Sequence, residues 1–133
     1  MTPAGAFLQH LETMFRRREP GRPGSGFTLE GKRLELIVFE NSRGNAIGAV
    51  SMIARGPETV EICLVVANDP QHGDGTRMLD ALCLEADRDR VTLKVQPAPQ
   101  TEEGIQREKL KEWYRRFGFV GEQFMERAPR DRP

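Results

Sequence analysis

The sequence predicts an α+β domain of the α/β kind, built on a mixed central sheet. Three observations predict it. Residues 33–40 and 46–54 are two strand-like runs joined by the turn residues Asn41-Ser42-Arg43-Gly44, so a hairpin is expected. Residues 59–95 read as strand, loop, helix and strand, which closes as a right-handed parallel crossover. Apolar residues recur at helical spacing over residues 3–18 and 76–89. The 133 residues fit one domain, 1–133, large enough to bury a core.

The elements follow in chain order. Thr2-Pro3 is a helix start, with a hydroxyl to cap and a proline in the first turn. Phe7, Leu8, Leu11, Met14 and Phe15 make residues 3–18 an amphipathic helix. Arg16, Arg17 and Arg18 close it, where cations suit the helix end; a phosphate or nucleic-acid contact is the other reading of that run. Gly21 to Gly26 is a loop. In 33–40, Leu34, Leu36 and Val38 share one face and Glu35, Ile37 and Phe39 the other. Residues 59–67 end nearly all apolar, as expected of a central strand covered on both faces. After the loop Asn68 to Gly75, Met78, Leu79, Leu82, Cys83 and Ala86 mark a helix over 76–89, and Val91 to Val95 a short strand. Residues 104–117 form a helix that Gly118 ends. Phe119 to Arg127 supplies a last hairpin or strand, and residues 128–133 are expected to fray.

Composition narrows the function. Twenty basic and twenty acidic residues cancel, which argues against a basic nucleic-acid surface. No apolar run approaches the ~20 residues of a membrane span, and the N-terminus lacks the order of a signal peptide, so a cytoplasmic protein is expected. Cys63 and Cys83 lie in apolar stretches and read as buried free thiols. With only His10 and His72 and no Cys-x-x-Cys pair, no metal is expected.

Two segments carry chemistry. In the first, a buried strand runs through Val65-Val66-Ala67 into Asn68-Asp69-Pro70-Gln71-His72-Gly73-Asp74-Gly75, and Thr76-Arg77-Met78-Leu79 opens a helix. Glycines let backbone N–H groups approach a ligand, and a helix start adds free donors and a positive dipole end, so the segment suits an anion. A bland strand-to-helix turn has much the same sequence. It is neither a Walker loop nor a full dinucleotide fingerprint, because no Gly-Lys-Ser/Thr follows and Met78 stands at the third glycine position. In the second segment, Trp113-Tyr114-Arg115-Arg116-Phe117-Gly118-Phe119, a helix ends in an aromatic turn. Tyr114 is there either a proton donor or an aromatic core plug.

Taken together, in this order and spacing, the two segments resemble the GNAT superfamily of acyl-CoA-dependent N-acetyltransferases. The family's motif Arg/Gln-x-x-Gly-x-Gly/Ala falls on Pro70 to Gly75, and its later Tyr-x-x-x-Gly-Phe on Tyr114 to Phe119. The ending Met125-Glu126-Arg127 is also similar, and the resemblance covers roughly residues 27–127. It implies a mixed sheet with helices on both faces and a splayed parallel strand pair, 59–67 and 91–95. It further implies that acetyl-CoA is the cosubstrate, with pantetheine beside Leu64, Val65 and Val66. The diphosphate would lie on the backbone of Gln71, His72, Gly73, Asp74, Gly75 and Thr76, with Arg77 near. A primary amine, small or on a protein, would attack the thioester directly. Tyr114 would protonate the leaving thiolate and Glu61, placed on one strand face with Cys63 and Val65, would serve as base; Thr59 and Glu58 stand nearby. Glu30, Glu35, Glu40, Glu58 and Glu61 could attract a cationic amine or merely solubilise strands. Pro70, without N–H, and Asp74, whose charge His72 or Arg77 could offset, depart from the family pattern, as do a missing asparagine after the second splayed strand and an absent or very short first strand. A non-catalytic interaction or regulatory protein that keeps this fold is the alternative reading. A monomer and a homodimer are both compatible with the sequence.

Overall fold

The computed structural model describes residues 2–15, 27–29, 32–40, 43–68, 73–97 and 107–131. The helices are α1 (Pro3–Phe15), α2 (Asp74–Asp89) and α3 (Arg107–Arg116). The strands are β1 (Phe27–Leu29), β2 (Lys32–Glu40), β3 (Ala46–Gly56), β4 (Thr59–Ala67), β5 (Thr92–Val95), β6 (Val120–Gly121) and β7 (Met125–Arg127). They form one sheet of order β1-β2-β3-β4-β5-β7-β6. Among the described residues only β4 and β5 run parallel; every other neighbouring pair is antiparallel.

Local chemistry sets the helix ends. Thr2 Oγ1 accepts the Gly5 N–H at 3.0 Å, so the expected hydroxyl cap starts α1. The arginine run 16–18 lies outside the described residues. Gly73, at φ +80, turns the chain so sharply that α2 begins at Asp74, two residues before the expected start. That left-handed conformation suits a residue without Cβ.

Ala4, Phe7 and Leu11 of α1 meet Met78, Leu79, Leu82, Cys83 and Ala86 of α2 over the sheet residues Ile37, Phe39, Val50, Met52, Val60, Ile62, Leu93, Val95 and Met125. Each large apolar side chain buried there contributes roughly 1.5–3 kcal/mol. The core takes the Ile37–Phe39 face of β2 and leaves Leu36 exposed. Gly48 on β3 lets β4 and α2 pack close against it. A Cβ there would run into the Val66 carbonyl oxygen and lie 2.7 Å from Met78 Cε.

Of the tail 128–133, expected to fray, residues 132 and 133 lie outside the described residues, and two of the others make contacts. The Arg130 N–H donates to Asp87 at 2.8 Å, and Arg90 pairs with Asp131 at 2.8 Å.

Candidate active site

The site is organised by the end of the described pairing between β4 and β5. Thr59 to Ile62 pair with Thr92 to Val95, and β4 then runs on to Ala67 with no described strand on that side. On the other side β4 stays paired with β3, but Met52 faces Ile62 while Ser51 faces Leu64, so Cys63 is an extra, bulged residue. A bulge bends its strand and sharpens its twist, and this one directly follows the last described β4–β5 pair, Ile62 with Val95.

The bulge also corrects two expectations. Before it, Val60 and Ile62 face the core; after it, Val65 and Ala67 do. Glu61 and Val65 therefore do not share a face. Nor is the strand covered on both sides: Cys63 is exposed, Leu64 is 44% exposed and Val66 39%. With Leu36, which reaches Leu64 through the register Leu36–Ser51–Leu64, they leave an apolar strip on the open face of the sheet. Cys83, by contrast, is buried as expected.

The strand leads straight to the start of α2. The Asn68 N–H donates to the Ile47 carbonyl at 2.8 Å, and the Asn68 side chain donates to the Ala46 carbonyl, which pins the end of β4 to β3. Gln71 and His72 lie outside the described residues; Gly73, Asp74, Gly75, Thr76 and Arg77 lie within them. The Arg77 N–H reaches the Gly73 carbonyl at 3.0 Å, the first bond of the helix. The amides of Asp74, Gly75 and Thr76 thus belong to the first turn, where the helix supplies no acceptor. The largely buried Asp74 carboxylate takes the Arg77 guanidinium at 3.3 Å, so Arg77 offsets its charge.

α3 meets this turn. Trp113 Nε1 donates to Thr76 Oγ1 at 3.3 Å, and the indole ring lies in van der Waals range of a Cβ built on Gly75. Next to it, Tyr114 is buried, edge-on to Trp113 at 5.0 Å and to Phe119 at 5.3 Å. Burial pushes its hydroxyl up to about 12, so the phenol keeps its proton at physiological pH. Nothing in the sequence couples Trp113 to Thr76, which stand 37 residues apart.

Glu61 is half-buried on the open face. Arg55 donates Nε to Oε1 at 3.2 Å and Nη2 to Oε2 at 3.5 Å. A carboxylate has about four lone-pair sites, so both oxygens can still accept. Cys63 Sγ lies 3.9 Å from Glu61 Oε2; desolvation of the sulfur, and then the Glu61 charge, push the thiol up and weaken it as a nucleophile.

Neither a protein-family model nor a curated protein matches the chain. Solved structures do. Tetrahymena GCN5 superposes with a TM-score of 0.54 at 15% identity, over 95% of this chain and 88% of that one. A GNAT family acetyltransferase from Elizabethkingia anophelis, solved with acetyl-CoA bound, gives 0.53 at 13% identity, over 84% and 94%. The chain has the GNAT fold. The anti-CRISPR protein AcrVA5 shares it as well, at a TM-score of 0.54 and 21% identity over 68% of this chain and 96% of that one. The mixed sheet with its parting parallel pair is the GNAT arrangement that the two motifs imply. Among the described residues no helix is long and apolar enough to cross a membrane.

Proposed function

We propose that this protein is an N-acetyltransferase that moves the acetyl group of acetyl-CoA to a primary amine. The observation that carries the reading is the end of the described β4–β5 pairing at the Cys63 bulge, with β4 running on to the Gly73 turn that opens α2. The residues there fit the cosubstrate. Leu64 and Val66 offer apolar surface along a strand edge that no described strand flanks, and burying such a side chain under a ligand is worth roughly 1.5–3 kcal/mol. The first-turn amides of α2 suit a diphosphate, and Arg77 lowers the repulsion from Asp74.

Acetyl-CoA would supply the activated thioester. The amine is the nucleophile, and it must be neutral to attack. Glu61 accepts its proton, directly or through a water, by the lone pairs that Arg55 leaves over. Tyr114 serves the leaving sulfur. With its hydroxyl near 12 and a thiol ordinarily near 8.5, full proton transfer would run uphill by about 5 kcal/mol. Tyr114 therefore acts mainly as a hydrogen-bond donor to the developing thiolate, a narrower role than outright protonation.

The double hold of Arg55 on Glu61 favours one other reading, a GNAT-fold protein that binds acyl-CoA without transferring it. One experiment separates the two. Acetyl-CoA at about a hundred times its Kd should stabilise the protein by roughly 2.7 kcal/mol. Free thiol should then appear when an amine panel is added. A thermal shift without thiol release supports the binding-only reading; no shift at millimolar acetyl-CoA removes both.

A further inference from the structure

Away from the β4–β5 gap, α1 and α2 bring an imidazole and two carboxylates together. His10 Nδ1 stands 3.0 Å from Glu85 Oε1 and 2.9 Å from Asp89 Oδ2. All three donor atoms lie within 4.8 Å of one another. We propose that His10, Glu85 and Asp89 form a binding site for a divalent transition-metal ion such as zinc, clasping α1 to α2.

The geometry suits such an ion. Bonds of about 2.0–2.2 Å from a metal to nitrogen and oxygen place neighbouring donors roughly 3 Å apart in octahedral and roughly 3.5 Å apart in tetrahedral coordination. The 2.9 and 3.0 Å that His10 Nδ1 makes are hydrogen-bond lengths as they stand, and they match the octahedral spacing, while a tetrahedral ion needs the three side chains to open by about 0.5 Å. One nitrogen and two carboxylate oxygens, without sulfur, is a donor set for zinc, cobalt or nickel.

Charge points the same way. Glu85 and Asp89 are one helical turn apart on α2, where like charges repel. The Glu85 side chain is only 7% exposed, so water does little to relieve it. The Arg88 guanidinium lies 3.8 Å from Glu85 Oε2 and is itself well exposed. With a neutral imidazole the trio carries two negative charges, which a divalent cation cancels. His10, 52% exposed, leaves one side open for water or a fourth ligand.

The competing occupant is a proton that makes His10 an imidazolium between the two carboxylates. The test uses the full chain, stripped with a chelator and then titrated at pH 7 with cobalt and with zinc chloride. Tight one-to-one binding, a rise in Tm and a cobalt spectrum without a sulfur charge-transfer band are expected. His10→Gln and Asp89→Asn, both at partly exposed positions, should fold and bind the metal at least about tenfold more weakly. Absence of a Tm rise at millimolar metal, unchanged affinity in His10→Gln, or a sulfur band in the cobalt spectrum would overturn the proposal.

Discussion

Arg127 and Asp87 form a doubly hydrogen-bonded ion pair inside the molecule, Nη1 to Oδ1 at 2.8 Å and Nη2 to Oδ2 at 3.0 Å, with both side chains 2% exposed. The pair joins β7 to α2. Arg127 Nε also donates to the Phe117 carbonyl at 2.7 Å, and the Arg130 N–H to Asp87, so the end of α3 and the C-terminal segment are tied to the same point. Removing one partner strands a buried charge. Asp87→Asn should therefore cost about 3–5 kcal/mol in a urea titration. Replacing both by apolar residues of similar volume should cost less than the single change, although the Phe117 and Arg130 bonds are lost at about 1 kcal/mol each. A double variant as unstable as the single one would contradict this.

Gly48 sets how closely β3, β4 and α2 approach. Gly48→Ala pushes a methyl into the Val66 carbonyl, which is backbone and cannot swing aside. A loss of about 1–3 kcal/mol is expected, together with weaker acyl-CoA binding, because the clash displaces the Val66 edge of β4 that is proposed to hold it. Unchanged stability in a thermal or urea melt would show that β4 yields without cost.

Tyr114 links stability to alkaline pH. Its hydroxyl, raised by burial from 10 to about 12, is protonated in the folded state where the unfolded chain has already ionised. The unfolded state binds fewer protons over that interval, so stability is fully present below pH 10 and falls as pH rises toward 12, by roughly 2–3 kcal/mol. Tyr114→Phe should lose that component of the alkaline fall and, in turnover assays, lower kcat while leaving the KM for acetyl-CoA nearly unchanged. Identical alkaline melting curves for the two proteins would contradict the first expectation, and an unchanged kcat the second.

Glu61 is tested by Glu61→Gln, which keeps the shape and leaves Arg55 one acceptor oxygen of the two it uses. A general base contributes about 100-fold or more, so kcat should fall by at least that factor while acetyl-CoA affinity holds. An unchanged kcat would assign proton removal to water or to another carboxylate.

Much of this fold could be read from local pattern, because the pattern is itself the cause. Met78, Leu79, Leu82, Cys83 and Ala86 recur at helical spacing because one stripe of α2 is buried, and all five are in the core. The glycines around Asp74 mark the strand-to-helix turn because Gly73 takes a left-handed conformation there. What stayed hidden depends on register or on long-range meetings. Both faces of β2 carry apolar residues, so the buried one could not be chosen. The bulge at Cys63 inverts the facing of β4 inside an unbroken apolar run. Asp87 and Arg127 lie 40 residues apart, and Trp113 and Thr76 lie 37. The clasp of His10 with Glu85 and Asp89 spans helices separated by most of the sheet in sequence.

Amide chemical shifts of the isotope-labelled chain during a titration with CoA would report on the decisive contact. The Gly75 and Thr76 N–H signals at the start of α2, and those of Leu64 and Val66 beyond the bulge, should move together and saturate at one equivalent. Shifts confined to other surfaces, or none at millimolar CoA, would contradict the assignment of this gap and helix start as the acyl-CoA site.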